Sequence, residues 1–185
     1  MIHFNEELLQ DCPIYSWRVS VFTPEECDTI KPLMQTLTPS GTMGGVNPEV
    51  RASSNVWVPF QEEYIWMFNR IAEASKECNP WKVHLTGFFE PLQLTHYSDE
   101  EYYNYHTDIG PGDSSIRKLS CVIQLSDPND YAGADLEFPH GNKNDELRAQ
   151  GTAIFFPSYT VHRVSPCYEG QRYSLVSWIS GGHFR

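Results

Sequence analysis

Apolar side chains recur at two different spacings along the chain, and the change falls near residue 80. From Gln61, mostly apolar positions recur every three or four residues, which is the period of one face of an α-helix. The spacing predicts a helix that ends near Asn79 and Pro80. Its buried stripe is expected to consist of Tyr64, Phe68, Ile71, Ser75 and Cys78. We interpret this stripe as packing rather than as a functional surface.

An earlier helix is predicted to begin at Thr23. Thr23 is a suitable N-cap, Pro24 occupies the first helical position, and Glu26 completes a capping box. Pro32 is expected to stop or kink this helix, because proline lacks the N–H group that a helix interior needs. Residues 40–48 are rich in Gly, Pro and Asn and are predicted to form a loop. Whether this loop acts as a lid is left open.

After Pro80 the pattern changes to short segments with strand character. In one of them every second side chain is apolar, which is typical of a strand with one face against a core. Its apolar positions are Leu119, Cys121, Ile123 and Leu125. The predicted strands span residues 82–89, 92–97, 116–125, 151–156, 160–164 and 172–179. Many short strands separated by Gly, Pro and Asn favour a sandwich, barrel or jelly roll, with helices first and strands later.

Length and composition fit one domain. The chain has 185 residues, of which 40% are hydrophobic and 14% aromatic, enough to bury one core. Its longest apolar runs are far shorter than the roughly 20 residues that a membrane-spanning helix needs. Residues 1–12 lack the basic start and apolar stretch of a secretory signal. The five cysteines are widely spaced without a CxxC pair, which indicates reduced thiols. We expect a cytoplasmic protein that does not enter membranes.

The net charge narrows the class of partner. The formal charge is -11 at neutral pH, whereas nucleic-acid binders usually present a basic surface to the phosphate backbone. Nucleic acid is therefore an unlikely partner. A neutral or basic peptide fits the acidic surface better, and the sequence does not indicate an oligomeric state.

A His-x-Asp pair at His106 and Asp108 is the first candidate for chemistry. On a strand, residues i and i+2 project to the same side, so both side chains can reach one metal ion. The pattern is short, and a hydrogen-bonded pair in a loop is an alternative. Only His162 lies in a sequence built like two buried strands, while His84 and His96 remain possible in the core or behind the ligands. Two imidazoles and one carboxylate form the facial triad of oxygen-activating Fe(II) sites, although zinc hydrolases can use similar ligands.

Arg172 is the second candidate. It stands ten residues after His162, on a predicted strand that would carry its guanidinium into a barrel. A buried arginine needs an anion, because an unpaired buried charge costs on the order of several kcal/mol. The far carboxylate of a diacid would satisfy the guanidinium with two parallel hydrogen bonds. The alternative is an internal ion pair with Asp135 or Glu137.

Together these positions resemble the prolyl 4-hydroxylase-like branch of the 2-oxoglutarate- and Fe(II)-dependent oxygenases. The residues that carry the resemblance are Tyr97, Tyr103, His106, Asp108, Phe155, Phe156, Pro157, His162, Arg172 and Trp178. The resemblance covers about residues 82–181 and matches the order and spacing of the motifs. It implies a mainly β fold with supporting α-helices, a double-stranded β-helix (jelly roll, cupin-like). We expect a single oxygenase domain over residues 1–185, with mostly helical support in 1–80 and the jelly-roll core in 81–181.

The resemblance also implies roles for individual residues. The implied iron ligands are His106, Asp108 and His162. Arg172 would bind the distal carboxylate of the co-substrate 2-oxoglutarate, and Tyr97 and Ser120 would hydrogen-bond to the same carboxylate. The implied substrate contacts are Tyr103, Trp178 and Arg51.

The implied reaction is a hydroxylation that consumes O2 and 2-oxoglutarate and releases succinate and CO2, with ascorbate as an expected reductant. Halogenating relatives replace the carboxylate ligand with a small residue, so Asp108 favours hydroxylation. The resemblance favours a prolyl residue in a peptide or protein as the substrate. Two alternatives stay open: an oxygenase of a small molecule or amino acid, and a non-catalytic jelly-roll binding module.

Overall fold

The computed structural model describes residues 12–37, 50–141 and 144–183. The predicted loop at residues 40–48 lies outside the described residues. Within them the chain forms thirteen strands and three α-helices. The strands are β1 (Ser16–Arg18), β2 (Arg51–Ala52), β3 (Ser54–Val58), β4 (Gly87–Phe88), β5 (Leu92–Tyr97), β6 (Tyr102–His106), β7 (Arg117–Gln124), β8 (Tyr131–Gly133), β9 (Leu136–Glu137), β10 (Ala153–Pro157), β11 (His162–Val164), β12 (Cys167–Gly170) and β13 (Arg172–Ser180). The helices are α1 (Pro24–Ile30), α2 (Leu33–Thr36) and α3 (Ile65–Glu77).

The first helix begins as its sequence predicts. The Thr23 hydroxyl accepts a hydrogen bond from the Glu26 amide at 3.2 Å, and the Glu26 carboxylate accepts one from the Thr23 amide at 2.8 Å. This reciprocal capping box confirms the predicted N-terminus of α1. Pro32 lies between α1 and α2, where the first helix has ended. The expected stop is therefore confirmed.

The predicted amphipathic helix is α3, preceded by one turn of 3-10 helix at Glu62–Tyr64. It ends at Glu77, close to the predicted end. Its buried residues are Met67, Phe68, Ile71, Ala74 and Ser75. All of these side chains except that of Ser75 join the main hydrophobic core, which confirms that the stripe serves packing.

Seven strands form a major sheet. Six of them follow the order β1-β10-β7-β13-β5-β3, and β4 pairs with the end of β13. Every pairing is antiparallel. The nine-residue strand β13 lies between β7 and β5. Arg172 near the start of β13 and Trp178 near its end are thereby held on the same face of the sheet.

A minor sheet of four strands has the order β2-β6-β11-β9. β8 and β12 form a separate two-stranded ribbon. A cavity between the major and minor sheets is lined by residues from both. The two opposed antiparallel sheets, with the helices outside the major one, form the predicted jelly roll.

Side chains of the major sheet alternate between two faces, as the period of a strand requires. On one face, Leu94, Ile123 and Leu175 are fully buried in the core that also contains Phe68 and Ile71 of α3. The opposite face points into the cavity. It contributes Thr95, Val122, Ser174 and Trp178 to the cavity wall. The helices therefore support the sheet from behind, and the site lies in front of it.

The predicted helical support in residues 1–80 is accompanied by three short strands that the sequence did not indicate. β1, β2 and β3 all lie in this part of the chain, and β3 is an edge strand of the major sheet. β3 has only five residues, and its partner β5 begins more than thirty residues later. A short strand of this kind is stabilised by pairing with a distant segment, which a local hydrophobic pattern does not report.

The cysteines behave as predicted. All five are free, and four of them are buried. Burial raises the pKa of Cys27 to about 12, so this thiol stays protonated and unreactive. Among the residues described, no helix has both the length and the apolar character required to cross a membrane.

Candidate active site

The cavity between the two sheets has a volume of about 440 Å³. It collects residues that lie far apart in the sequence but face each other across the jelly roll. Eight of the nine candidate residues line it: Arg51, Tyr97, Tyr103, His106, Asp108, His162, Arg172 and Trp178. Ser120 does not line this cavity.

Three of these residues form a cluster that could hold a metal ion. His106 ends β6 and is paired with His162, the first residue of β11, across the minor sheet. Asp108 follows two residues after His106. Its two carboxylate oxygens lie 3.7 Å from His106 Nε2 and 3.6 Å from His162 Nε2. One ligand atom from each residue lies within 4.8 Å of the others, which places three donors around one point.

Both histidines are oriented by the backbone. His106 Nδ1 lies 2.7 Å from the carbonyl oxygen of Asn104, and His162 Nδ1 lies 2.9 Å from that of Thr160. Nδ1 must carry the proton in both rings, because a carbonyl oxygen can only accept. In each ring Nε2 can then offer its lone pair to a metal, and it faces the cluster.

The charge state of His106 also suits metal binding. Burial, and next the neighbouring His162 ring, lower the pKa of His106 to about 4. The ring is therefore neutral at neutral pH. Two imidazoles and the carboxylate of Asp108 match the donor set of the Fe(II) facial triad.

Arg172 is almost completely buried, at 1% exposure. Its Nε donates to Gln124 Oε1 at 3.0 Å, whereas Nη1 and Nη2 have no hydrogen-bond partner among the described residues. The internal ion pair considered above does not form. Asp135 pairs with Arg148, and Glu137 pairs with Arg163. The free fork of Arg172 lines the cavity, where a carboxylate would satisfy both nitrogens.

Tyr97 lies beside this fork. It is the register partner of Arg172 between β5 and β13, and its ring centroid is 5.7 Å from the guanidinium carbon. Tyr97 is buried, and burial raises its pKa, so the phenol remains a hydrogen-bond donor. Thr95 projects from the same face of β5. Its hydroxyl is buried without a partner among the described residues, and the residue lines the cavity.

Gln124 and Thr95 were not among the predicted site residues. Gln124 holds the Nε end of the Arg172 guanidinium and, through its own Nε2, donates to the carbonyl oxygen of Leu147 at 3.0 Å. The available signal was the alternation along β7, which places Gln124 on the face opposite the apolar core. That pattern alone does not say which distant side chain Gln124 contacts.

Ser120 is placed differently from the prediction. It lies opposite Trp178 in the pairing of β7 with β13, six residues along β13 from Arg172. Six residues of strand span about 20 Å at roughly 3.3 Å each. The Ser120 hydroxyl instead donates to Asp108 Oδ2 at 2.6 Å. Ser120 therefore contacts a candidate metal ligand and not the carboxylate that Arg172 would bind.

Tyr103 and Arg51 form one wall of the cavity beside the cluster. The Tyr103 ring stacks on His106, with centroids 3.5 Å apart and planes 13° from parallel. The Arg51 guanidinium carbon also lies over the Tyr103 ring, 4.7 Å from its centroid. Arg51 also donates to Gln93 Oε1 at 3.1 Å. Tyr103 and Arg51, two of the three predicted substrate contacts, thus line the cavity, and neighbouring side chains hold both in place.

Trp178 forms another wall of the cavity. It lies beside Arg117 and Glu90, which the sequence did not indicate as site residues. The Arg117 guanidinium stacks on the Trp178 ring at 3.8 Å from the centroid. Arg117 Nε donates to Glu90 Oε2 at 2.7 Å, and Nη1 donates to the backbone oxygen of Asp108 at 3.1 Å. Arg117 and Glu90 are separated by 27 positions in the sequence. Only the fold brings them to the same rim.

The segment that supplies most residues of this site is similar to a known family. Residues 92–180 match the model of the 2OG-Fe(II) oxygenase superfamily. A PKHD-type hydroxylase from Sphingopyxis alaskensis is 38% identical over 94 residues, covering 48% of this chain and 43% of the relative. One from Hyphomonas neptunium is 32% identical over 96 residues, covering 49% and 43%. The chain thus spans less than half the length of these curated relatives.

Solved structures show the same fold. A Pseudomonas putida prolyl-4-hydroxylase superposes with a TM-score of 0.71 and 18% identity, covering 95% of this chain and 96% of that one. A viral collagen prolyl hydroxylase from Paramecium bursaria Chlorella virus-1, solved as a 2OG complex, gives 0.69 and 21%, covering 92% and 97%. The predicted resemblance to the prolyl 4-hydroxylase-like branch of 2OG-Fe(II) oxygenases is confirmed.

Proposed function

We propose that this chain is an Fe(II)- and 2-oxoglutarate-dependent dioxygenase that hydroxylates its substrate and releases succinate and CO2. One observation carries the proposal. The fork of Arg172, with two terminal nitrogens lacking partners among the described residues, opens into the cavity that also holds His106, Asp108 and His162. A candidate metal site and an arginine that can bind a carboxylate line the same cavity. This arrangement suits a diacid that binds iron at one end and Arg172 at the other.

Each residue has a defined task in this proposal. His106, Asp108 and His162 would hold Fe(II) on one face and leave positions for 2-oxoglutarate and O2. Bound iron would supply oxygen activation coupled to decarboxylation of 2-oxoglutarate. Arg172 would bind the distal carboxylate with two charge-assisted hydrogen bonds, and Tyr97 would donate a further one. The role of ascorbate as reductant stays a prediction.

Anaerobic titration of the Fe(II)-loaded protein with 2-oxoglutarate tests the proposal. We expect a weak visible charge-transfer band and thermal stabilisation that rises with ligand concentration. Arg172→Gln should weaken 2-oxoglutarate binding by about 100-fold, since the charged pair contributes about 3 kcal/mol, and should leave iron binding intact. Arg163→Gln is the matched control, because Arg163 pairs with Glu137 and does not line the cavity. Absence of both signals in the unmodified protein would favour the non-catalytic binding module.

For the substrate, we propose a prolyl residue in a peptide or protein. Trp57, Tyr103 and Trp178 give the cavity flat aromatic walls that suit a compact ring. The similar structures include a prolyl hydroxylase from Trichoplax adhaerens in complex with a hypoxia inducible factor peptide, at a TM-score of 0.71 and 16% identity, covering 95% of this chain and 86% of that one. The net charge of -11 suits a neutral or basic peptide. Exclusion of nucleic acid and a cytoplasmic location stay predictions.

A small molecule or free amino acid is the second candidate. The cavity volume of about 440 Å³ is of the size that encloses small ligands. Mass spectrometry distinguishes the candidates. Incubation with proline-containing peptides should give a stable gain of one oxygen on proline, dependent on Fe(II) and 2-oxoglutarate. If peptides stay unmodified while 2-oxoglutarate turnover is stimulated by an amino acid, the small-molecule assignment replaces the peptide assignment.

A further inference from the structure

We propose that Ser120 and Ser158 form a hydroxyl clamp that holds the Asp108 carboxylate in one orientation for metal binding. The inference rests on the proposed function, because it assigns Asp108 to the metal. It concerns residues behind the ligand, and both serines are positioning residues. Ser120 and Ser158 are completely buried, at 0% exposure, so neither hydroxyl can be satisfied by bulk water.

The two hydroxyls and the carboxylate form a short chain of hydrogen bonds. Ser120 Oγ lies 2.6 Å from Asp108 Oδ2 and 3.0 Å from Ser158 Oγ. A hydroxyl has one proton, and an ionised carboxylate can only accept. The Ser120 proton therefore goes to Asp108, and Ser158 donates to Ser120. A distance of 2.6 Å is in the range of strong O–H to carboxylate hydrogen bonds.

The backbone around Asp108 is held by the same serine. The amides of Asp108 and Ile109 both donate to the carbonyl oxygen of Ser158, at 2.9 Å and 3.1 Å. The amide of Ser158 donates to the carbonyl oxygen of Lys118 on β7 at 3.0 Å. Asp108 lies after the end of β6, so these contacts tie an otherwise irregular segment to the major sheet. Both the backbone and the side chain of Asp108 are thereby restrained.

The clamp distinguishes the two carboxylate oxygens. Each oxygen lies near one histidine, Oδ1 at 3.7 Å from His106 Nε2 and Oδ2 at 3.6 Å from His162 Nε2. Only Oδ2 accepts a hydroxyl hydrogen bond from a described residue, Ser120. Because Oδ2 already accepts the Ser120 proton, we assign Oδ1 as the metal-binding oxygen, and a single-oxygen contact would leave more of the metal free for co-substrate and O2. Partners that orient metal ligands typically change metal affinity by about 10- to 100-fold when removed.

Anaerobic titration with Co(II), a spectroscopic substitute for Fe(II), tests the clamp without relying on turnover. Ser120→Ala should weaken Co(II) binding by about tenfold and change the intensity of its visible bands, because the carboxylate can rotate. Ser120→Thr keeps the hydroxyl and should restore both values. Ser177→Ala is the matched control: Ser177 is a buried serine on β13 whose hydroxyl has no partner among the described residues. It should bind Co(II) like the unmodified protein.

Further measurements separate the possible failures. Thermal melting of the metal-free variants checks folding, and if Ser120→Ala does not fold, Ser158→Ala removes the second hydroxyl and should give a smaller loss of affinity. An unchanged affinity and spectrum in a folded Ser120→Ala variant overturns the clamp alone. If the unmodified protein binds neither Co(II) nor Fe(II), the proposed function fails together with the clamp.

Discussion

The major sheet is buried on both faces, but the two faces are built differently. Toward the helices it presents aliphatic side chains such as Leu94, Ile123 and Leu175, all in one continuous core. Toward the minor sheet it presents Thr95 and Arg172, buried polar side chains whose free atoms lack hydrogen-bond partners among the described residues. One face is satisfied within the chain, and the other has unpaired donors at a cavity.

This difference shows which face serves stability and which serves binding. Apolar burial stabilises a fold by roughly 25 cal/mol for each Å² removed from water. An unpaired buried polar group instead costs about 1–3 kcal/mol. The cavity face therefore lowers the stability of the free chain, and a ligand that supplies the missing acceptors restores the balance. Substitutions on the two faces should have separable effects.

The largest effect on metal binding and turnover is expected for a substitution in the candidate metal cluster, at Asp108. Asp108→Ala removes the charged ligand, so Fe(II) binding and turnover should fall to background while the melting temperature of the metal-free protein changes little. Metal titration, a 2-oxoglutarate consumption assay and thermal melting measure the three quantities. Asp113→Ala is the control, since Asp113 is an exposed acid a short distance after Asp108 in the sequence. Retained turnover in Asp108→Ala would remove Asp108 from the metal site.

A substitution on the helix-facing side should show the reverse pattern. Ile123→Ala leaves a cavity in the core and should lower the free energy of unfolding by about 3 kcal/mol. Turnover per folded molecule should stay unchanged. Urea denaturation measures the stability, with Ile65→Ala as the control at an exposed isoleucine, where we expect a change within about 0.5 kcal/mol. A large loss of turnover in folded Ile123→Ala would show that the two faces are not separable.

The smallest effect on activity is expected for Gln124, whose side chain holds Arg172. Gln124→Met removes the acceptor of the Arg172 Nε hydrogen bond and keeps a similar volume. Losing about 1 kcal/mol should raise the KM for 2-oxoglutarate roughly fivefold and leave kcat nearly unchanged. Steady-state kinetics over a range of 2-oxoglutarate concentrations measure both constants. Gln35→Met, at an exposed position on α2, is the control. An unchanged KM in Gln124→Met would show that Gln124 does not orient Arg172.

Local patterns were sufficient for several elements. The capping box at Thr23, the stripe of α3 and the alternation of β7 are contained within single elements, and each appears in the structure. The predicted candidates His106, Asp108 and His162 also meet, with one potential ligand atom from each within 4.8 Å of the others. These features depend on short-range geometry or on a family motif. Neither requires knowledge of which strands pair.

The sequence by itself therefore determined helices α1 and α3, the main alternating strand, the cluster of His106, Asp108 and His162, and the buried Arg172. Tertiary structure decided the contacts between distant segments: the edge strand β3, the Arg117 pair with Glu90 and the position of Ser120 against Asp108. The physical reason is that periodicity reports which side of its own element a residue faces. The order and register of strands decide what lies opposite. The pairing of β7 with β10 brings Ser158, which follows β10, next to Ser120, and Ser158 in turn holds the Asp108 backbone there.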